Sequence, residues 1–277
     1  MYAESYLATY PKLIKVAHDM KNKILFQFLT KFWYAPADAF LRANEAIIWS
    51  KQKLTSPILD IGCGDGQTSK LILAKQKKID VGVDLNPSGA LKVGIYKKVV
   101  TADASRLPFT KNSFQTVISN STFEHIRQDK KAVSEVARVL KSGGQLFLTI
   151  PDVNLNKFLT KKLKNKTKLN NFNQRVQHLH YRSEKQWYKI LEKNNLKVVT
   201  SKKYLSKKAF YAWYKLFKLV TFKPYKRELW SYLKDSPYGK LFPKKIIVLI
   251  LYLYLSPLLK NIWDDQGSWI LIVAKKK

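Results

Sequence analysis

Short apolar runs alternate with amphipathic segments through the middle of the chain, and this alternation predicts a mostly parallel sheet with helices on both faces. The predicted strands lie at 57–61, 79–84, 97–101, 114–119, 145–150, 196–200 and 268–274. The predicted helices lie at 37–50, 68–75, 129–140 and 184–194. Ser183 and Gln186 have the spacing of a capping box before the last helix. Ser142-Gly143-Gly144 is predicted to end the helix before the fifth strand.

Two basic and aromatic segments, 152–182 and 201–267, interrupt this alternation and are predicted to be helical insertions. Each follows a strand that should run parallel to the others, so both are predicted to emerge at the carboxyl edge of the sheet, where open α/β folds bind ligands. Residues 1–56 are predicted to form an N-terminal helical arm, either covering a cofactor site or only stabilising the sheet. The sheet domain itself is predicted to comprise 57–200 and 268–277.

Charge is distributed unevenly along the chain, whose 277 residues carry a formal net charge of +32. Residues 152–277 hold 29 basic and 7 acidic side chains, whereas 57–151 hold 14 and 8. A concentrated positive field attracts nucleic acid or an anionic membrane surface. A genome that favours lysine codons is the simpler explanation for the total, although it does not account for the concentration in one region.

Cysteine content and the first residues bear on the compartment. Cys63 is the single cysteine, so a disulfide framework is excluded and a reducing compartment is expected. The first fifteen residues lack the charged-then-apolar layout of an export signal. A cytoplasmic location is therefore expected, with peripheral attachment to the inner face of a membrane as a variant of it.

The glycine-rich segment Asp60–Gly66 follows a predicted strand and precedes a predicted helix. Glycines at such a turn let the backbone approach a ligand closely, in a dinucleotide site, a phosphate loop or a simple tight turn. No G-K-[ST] follows, which excludes a nucleotide-triphosphate loop. Asp60 stands two residues before the first glycine, which is atypical of dinucleotide sites, and Asp84 ends the next strand, in position to accept hydrogen bonds from ribose hydroxyls.

Five segments, taken in order and spacing, resemble the motifs of class I S-adenosylmethionine-dependent methyltransferases. They are LDIGCGDG (59–66), VGVDLN (81–86), ADASRLPF (102–109), SFQTVISNSTFEHI (113–126) and EVARVLKSGGQLFLTIP (135–151). The resemblance is closest to the small-molecule branch, which includes quinone-ring methylases and enzymes of glycan and lipid biosynthesis. It covers 37–150 closely, and 178–200 with 268–277 more loosely. It implies a Rossmann-like, seven-stranded sheet whose last strand is antiparallel, and S-adenosylmethionine as the cofactor.

The same resemblance implies a set of cofactor-binding residues. The turn holds the methionine part of the cofactor, Asp60 supports the turn or the methionine ammonium, Asp84 binds the ribose, Asp103 meets the adenine amino group, and Asn120 lies near the reacting methyl group. The full set is Asp60, Gly62, Cys63, Gly64, Gly66, Asp84, Leu85, Asp103, Ala104, Asn120 and Ser121. Cys63 is expected to be a small apolar filler of the turn.

The residues after the fourth strand argue against nucleobase chemistry. Methylases of exocyclic nucleobase amines usually carry an N/D-P-P-Y/F element there, and this chain has Asn120-Ser121-Thr122-Phe123. Cytosine C5 methylases need a nucleophilic cysteine, and Cys63 lies in the glycine turn. Ribose O-methylation stays open.

A general base is required only where the methyl acceptor holds a proton at neutral pH. The candidates are His125, His178, His180 and Tyr181. His125 follows the fourth strand, where it either supports the cofactor pocket or abstracts a proton. His178 and His180 are predicted to face the substrate with Tyr181 and Arg182. No metal site is predicted, because no third ligand accompanies the two histidines.

Two parts of the insertions, 204–225 and 246–260, mix lysines with aromatic or aliphatic residues. Fourteen apolar or small residues at 246–259 are too few for a membrane span of about 20 residues. Three interpretations remain open: a core helix that forms a substrate lid, an interfacial element at anionic headgroups, or an RNA-binding surface. The long aliphatic run favours the first two.

The function predicted from these patterns is methyl transfer from S-adenosylmethionine to a small-molecule, lipid-like or lipid-linked acceptor. A membrane surface is one place where this reaction is expected. An RNA methyltransferase that uses the basic C-terminal region, and a non-catalytic S-adenosylmethionine-binding protein, are the alternatives.

Overall fold

The computed structural model describes residues 20–76, 78–235 and 243–277. The first 19 residues of the predicted arm, and 236–242 of the second predicted insertion, lie outside the described residues. The chain divides into two compact units. We call Gln52–Lys207 with Trp263–Lys277 the core unit, and Met1–Lys51 with Lys208–Ile262 the helical unit.

In the core unit, seven strands form one sheet, which confirms the predicted Rossmann-like fold. The strands are β1 (Ile58–Ile61), β2 (Ile79–Asp84), β3 (Tyr96–Thr101), β4 (Phe114–Asn120), β5 (Leu140–Pro151), β6 (Leu196–Tyr204) and β7 (Trp269–Lys276). Their order is β3-β2-β1-β4-β5-β7-β6. β7 runs antiparallel to both β5 and β6, and the other pairings are parallel.

The helices of the core unit follow the strands as the alternation predicts. They are α3 (Gln67–Ile72), α4 (Asp129–Val139), α5 (Val153–Leu163), α6 (Lys166–Val176) and α7 (Glu184–Lys193), with 3₁₀ turns at Ala90–Val93 and Phe123–His125. α4 buries its apolar stripe, including Ala132, Val133 and Val136, in the core with the inner faces of the strands. The capping box of Ser183 and Gln186 is present as predicted.

The segment 152–182 is helical because two side chains cap its helices. Asp152 accepts a hydrogen bond from Asn154 N, and Asn165 accepts one from Lys168 N, each satisfying a backbone donor of the first turn. α6 buries only Phe172, so little of its stability comes from apolar packing.

Two predicted boundaries in the sheet are wrong. Ser142-Gly143-Gly144 does not end the helix; α4 ends at Val139, and the three residues lie inside β5. Gly143 has φ +74°, and the pairing of β4 with β5 shifts register there, so the glycines make an irregular start to the strand. β6 continues to Tyr204, beyond the predicted end at 200, because its ladder with β7 continues to Trp269.

The described part of the helical unit contains α1 (Met20–Lys31), α2 (Pro36–Trp49), α9 (Leu229–Asp235), α10 (Lys244–Leu255) and all but the first residue of α8 (Lys207–Val220). Arg42 donates a 2.6 Å hydrogen bond to the buried carboxylate of Glu45, one helical turn on. The rings of Phe26 and Tyr252 meet edge to face, with centroids 5.8 Å apart. Among the residues described, no helix has the length and apolar character that crossing a bilayer requires.

Candidate active site

The glycine turn follows β1 at the carboxyl edge of the sheet. Gly62 has φ +84°, and a Cβ added there would overlap the side chain of Thr122, so this position requires glycine. A Cβ added at Gly64 would meet no atom within 4 Å, because the turn faces open space on that side. The N–H groups of Gly62, Cys63, Gly64 and Gly66 donate to acceptors within the fold, so what the turn offers a ligand is close approach to its backbone.

Asp84 ends β2 and holds the glycine turn in place. Its Oδ2 accepts a 2.9 Å hydrogen bond from Gly64 N, and its Oδ1 accepts one of 2.9 Å from Asn86 N. Each carboxylate oxygen has a second lone pair. Asp84 can therefore accept hydrogen bonds from a pair of ligand hydroxyls while it fixes the turn.

Asp103 lies two residues after β3 and is exposed. Its Oδ1 accepts a 2.7 Å hydrogen bond from Ser105 N, which orients the carboxylate and leaves Oδ2 to accept from a ligand donor such as an amino group. Leu85 is 72% exposed. An apolar side chain so exposed, beside two acids, provides contact area for a flat, weakly polar ring.

A cavity of about 690 Å³ lies at this edge of the sheet. Its lining residues are Ile61, Gly62, Val83, Asp84, Leu85, Ala102, Asp103, Ala104, Ser121, Thr122, His125, Ile126, Arg127, Gln128 and Gln177. Six predicted cofactor residues are among them: Gly62, Asp84, Leu85, Asp103, Ala104 and Ser121. Sequence reasoning did not select Thr122, Arg127, Gln128 or Gln177. Thr122 lies within the fourth motif and Arg127 and Gln128 follow it directly, whereas nothing in the sequence marks Gln177.

The predicted cofactor residues that do not line this cavity are Asp60, Cys63, Gly64, Gly66 and Asn120. Asp60 is buried, and its Oδ2 accepts hydrogen bonds from Tyr96 OH at 2.6 Å and Ser69 Oγ at 3.1 Å. It thereby joins β1 to α3 and β3. Asn120 Oδ1 accepts from Thr149 Oγ1 at 2.8 Å, which ties the end of β4 to β5. Burial raises the pKa of the Cys63 thiol far above its ordinary value, so this cysteine is not a thiolate nucleophile.

Of the four base candidates, His125 lines the cavity, and His178, His180 and Tyr181 do not. His180 Nε2 lies 3.0 Å from the Ile126 carbonyl oxygen. Tyr181 OH donates to Asn173 Oδ1 at 2.8 Å. Burial raises the pKa of Tyr181 well above its ordinary value, and the charge of Glu124 adds to the shift. A tyrosinate at neutral pH is therefore disfavoured, and the catalytic roles of all four stay predictions.

Arg182 does not face a substrate either. It donates two hydrogen bonds to the buried carboxylate of Asp129, from Nε at 2.6 Å and from a terminal nitrogen at 2.9 Å. Sequence spacing gave no third partner for the histidines, but the fold does: Glu124, His125 and His178 bring their ligand-type atoms within 4.8 Å of one another.

These features define a class of protein. A doubly wound sheet, a glycine turn after its first strand, and acids after its second and third strands, all at one carboxyl edge, form a site for a nucleoside-containing cofactor. The donors of such a cofactor, a ribose diol and an adenine amino group, match the acceptors Asp84 and Asp103.

Comparisons with known proteins show what part of the chain is similar to. Residues 59–148 match a family model described as a methyltransferase domain. The chain is 36% identical to an uncharacterised protein of Methanocaldococcus jannaschii over 97 residues, which are 34% of this chain and 44% of that protein. It is 33% identical to a demethylmenaquinone methyltransferase of Renibacterium salmoninarum over 99 residues, which are 33% of this chain and 39% of that one. The matches therefore span less than half the length of these curated relatives.

Solved structures share the fold. An S-adenosylmethionine-dependent methyltransferase of Thermotoga maritima, described as a possible histamine N-methyltransferase, superposes with a TM-score of 0.55 at 18% identity, over 91% of this chain and 100% of that one. Geranyl diphosphate C-methyltransferase of Streptomyces coelicolor gives a TM-score of 0.53 at 14% identity, over 85% and 77%. Residues 59–148 are therefore similar to a methyltransferase domain, and the chain shares the fold of these S-adenosylmethionine-dependent methyltransferases.

Proposed function

We propose that the chain is an enzyme that transfers the methyl group of S-adenosylmethionine to an apolar or lipid-linked acceptor at an anionic membrane surface. The observation that carries the activity is the cavity in which the Gly62 turn, Asp84 and Asp103 lie together, inside the matched methyltransferase domain. When bound, S-adenosylmethionine supplies an electrophilic methyl group on a positively charged sulfur.

The residues of the chain would act by positioning. The glycine turn would let the methionine part of the cofactor approach its backbone closely, Asp84 would accept from the ribose hydroxyls, and Asp103 would accept from the adenine amino group. Leu85 covers an apolar face of the cofactor and excludes water from it. Holding two reactants in line is the main contribution an enzyme makes to such a displacement.

Cofactor binding is tested by a matched pair of substitutions. Asp103 and Asp264 each accept one hydrogen bond through Oδ1 from the backbone N–H two residues on. Only Asp103 lines the cavity. Asp103→Asn keeps this turn but makes the other oxygen a donor, which opposes the adenine amino group. We expect D103N to weaken S-adenosylhomocysteine binding by about 10-fold or more, as one lost charge-assisted hydrogen bond of about 1.5–3 kcal/mol requires.

Isothermal titration calorimetry with S-adenosylhomocysteine measures both variants against the unchanged chain. Asp264→Asn should bind S-adenosylhomocysteine within about twofold of the unchanged chain, since Asp264 does not line the cavity. Equal loss in the two variants, or no binding by the unchanged chain, contradicts the assignment of this cavity.

The membrane surface is supported by the helical unit. On α10, Val248, Tyr252 and Leu255 are buried. The other face exposes apolar side chains at i, i+4, i+7 and i+8, each between 45% and 60% exposed: Ile246, Ile250, Leu253 and Tyr254. A helix with one apolar face in solvent is unusual in a monomer and typical of a helix that lies in a membrane interface.

The surroundings of this face favour an anionic bilayer over another occupant. α8 and α10 border an apolar groove of about 490 Å³ that Lys215 and Lys218 also line. Lys244 and Lys245 begin α10, and all four lysines are exposed. Lysines around an exposed apolar face match headgroup phosphates beside acyl chains, each contributing about 1 kcal/mol near the surface. RNA would neutralise the lysines but would not favour the burial of isoleucine and leucine.

We expect the double variant Ile250→Ser/Leu253→Ser to bind anionic phosphatidylglycerol vesicles about 100-fold more weakly, from about 1.5 kcal/mol of lost apolar burial per residue. The matched control is Leu91→Ser/Val199→Ser, which removes side chains that are 56% and 50% exposed in the core unit. Flotation in low and high salt measures both, with RNA as a competitor. Vesicle binding that RNA abolishes supports the RNA alternative, whereas vesicle binding that vanishes in high salt is carried by charge and contradicts a role for Ile250 and Leu253.

The acceptor is sought in the same preparation. The full chain is incubated with S-adenosylmethionine labelled in its methyl group and with lipid extract, RNA or a soluble metabolite pool. Label in the lipid fraction supports the proposal. Label in RNA or in soluble metabolites overturns the acceptor class, and label in none of them, with S-adenosylhomocysteine bound, indicates a non-catalytic binding protein.

A further inference from the structure

Two histidines and a buried carboxylate converge beside the cavity. Glu124 and His125 belong to the 3₁₀ turn after β4, and His178 belongs to the loop after α6. Their ligand-type atoms lie within 4.8 Å of one another. His125 also lines the cavity, so the cluster adjoins the place where the methyl acceptor is expected to bind.

The backbone fixes this convergence. Leu179 N donates a 2.8 Å hydrogen bond to the Glu124 carbonyl oxygen, and His178 N donates one of 3.2 Å to Asn173 O. The loop is therefore held in register against the 3₁₀ turn on one side and against the end of α6 on the other. A preorganised backbone of this kind is what holds ligating side chains close to a productive geometry.

Hydrogen bonds also select the tautomer of each ring. His125 Nδ1 lies 3.0 Å from the Gln177 carbonyl oxygen, which can only accept, so Nδ1 carries the proton. Tyr181 OH donates to Asn173 Oδ1, so at 3.1 Å it accepts from His178 Nδ1. Both rings therefore hold a lone pair on Nε2. A second ring nitrogen that donates to a carbonyl or other oxygen is the usual outer contact of a metal-binding histidine.

Glu124 supplies the negative charge. Its side chain is 2% exposed, and its Oε1 lies 3.9 Å from His125 Nε2. Burying an ionised carboxylate is costly unless a cation accompanies it. Two neutral imidazoles and one carboxylate form the donor set that binds zinc in open catalytic sites, and that also suits Fe²⁺ or Mn²⁺.

We propose that Glu124, His125 and His178 bind a divalent transition-metal ion, with Zn²⁺ as the best match, at the wall of the cavity. Bonds of about 2.0–2.2 Å place tetrahedral ligands roughly 3.4 Å apart, so the three ligand-type atoms, which lie within 4.8 Å of one another, would have to move closer together to bind the ion. Three protein ligands leave one coordination position for a further oxygen. In the proposed function, on which this step rests, the ion would coordinate an oxygen of the methyl acceptor. It would thereby lower the pKa of the acceptor group that carries this oxygen.

The test measures metal binding directly, by the full chain purified metal-free and without a histidine tag. Competition with a chromophoric chelator gives the Zn²⁺ affinity, and the visible absorption of Co²⁺ reports the geometry. We expect one equivalent to bind with a tetrahedral Co²⁺ spectrum. Glu124→Gln and His178→Gln should each weaken Zn²⁺ binding by more than about 100-fold, and Tyr181→Phe by about 10–100-fold, as loss of an outer contact does.

His180→Gln is the matched control, because His180 lies two residues from His178 in the same loop but is bonded to the Ile126 carbonyl instead. It should bind Zn²⁺ like the unchanged chain. Stoichiometric binding that both cluster variants lose and the control retains supports the proposal. If the unchanged chain binds no more tightly than His178→Gln, or if the control loses as much, the proposal is overturned and the cluster is an ion pair of Glu124 with a protonated histidine.

S-adenosylhomocysteine binding by the same preparations separates the two proposals. Cofactor binding without metal binding overturns the metal site alone. Metal binding without cofactor binding overturns the proposed function while the metal site stands.

Discussion

At the scale of single residues, Asp60 supports the first motif, and its burial makes the stability of the fold depend on pH. Burial raises the pKa of Asp60 from 3.8 to about 6, although the hydrogen bonds from Tyr96 and Ser69 oppose the shift, and the charge of Asp84 adds a little to it. The folded chain therefore keeps a proton that the unfolded chain releases at lower pH. Between about pH 4 and pH 6 the stability contribution of Asp60 falls as pH rises, because the unfolded state binds fewer protons there.

We expect Asp60→Asn to remove this dependence. The difference in unfolding free energy between D60N and the unchanged chain should rise by up to about 3 kcal/mol from pH 4 to pH 7, as a pKa change from 3.8 to about 6 requires. Urea unfolding across this range measures it. Asp80→Asn is the control. Hydrogen bonds from Lys97 and Ile58 lower the pKa of Asp80, so its contribution to stability is lost only as pH falls below about 4. A pH-independent difference for D60N would contradict the assignment.

The residues of the cluster beside the cavity mark the limit of sequence reasoning at this scale. Gly62, Asp84 and Asp103 could be predicted because each lies at the end of a strand or within two residues of it, in a motif of fixed spacing. Glu124 and His178 are 54 residues apart, and the Leu179–Glu124 backbone bond that joins them depends on the path of a lysine-rich segment. No local pattern in the sequence encodes that path.

At the scale of elements, strands were easier to predict than their irregularities. β1, β2 and β4 are short apolar runs between turn residues, and such runs are buried on both faces of a parallel sheet. Ser142-Gly143-Gly144 in β5 has the composition typical of a helix end. Only the register of β5 against β4 shows that these residues form an irregularity of the strand. α6 has one buried apolar side chain, so periodicity could not give its bounds.

The ion pair of Arg182 and Asp129 joins the loop before α7 to the start of α4. It gives a prediction at the scale of elements. Arg182 donates two hydrogen bonds to Asp129 at the start of α4, where the carboxylate is 4% exposed. Arg182→Met removes the guanidinium and leaves the buried carboxylate with the backbone N–H of Lys130 and with His180 Nε2 at 3.9 Å, so we expect a loss of about 3 kcal/mol in unfolding free energy. Arg106→Lys, at an exposed position, should change it by less than about 0.5 kcal/mol. Guanidinium unfolding compares the two, and equal small effects would show that the pair does not stabilise the loop.

At the scale of the whole molecule, the charge imbalance has a measurable cost. With a net charge of +32, the chain repels itself in the folded state more than when it is extended. Salt screens this repulsion, since the Debye length falls from about 30 Å at 10 mM to about 8 Å at 150 mM. We expect the melting temperature at neutral pH to rise by several degrees between these concentrations. At pH 10, close to the isoelectric point of about 10.0, the rise should disappear. If the melting temperature still rises with salt at pH 10, net charge is not the cause of the rise.

The position of β7 between β5 and β6 has a consequence for the order in which the chain is made. β6 ends at Tyr204, and its neighbour in the sheet begins only at Trp269, about 65 residues later. At a synthesis rate of about 5–20 residues per second, β7 is made roughly 3–13 s after β6. Until then, the edges of β5 and β6 that pair with β7 stay unpaired. During that interval the lysines that follow β6 emerge from the ribosome beside an incomplete sheet. A nascent chain of this topology is therefore a candidate client of ribosome-associated chaperones, and slow codons between 205 and 268 would lengthen its exposure.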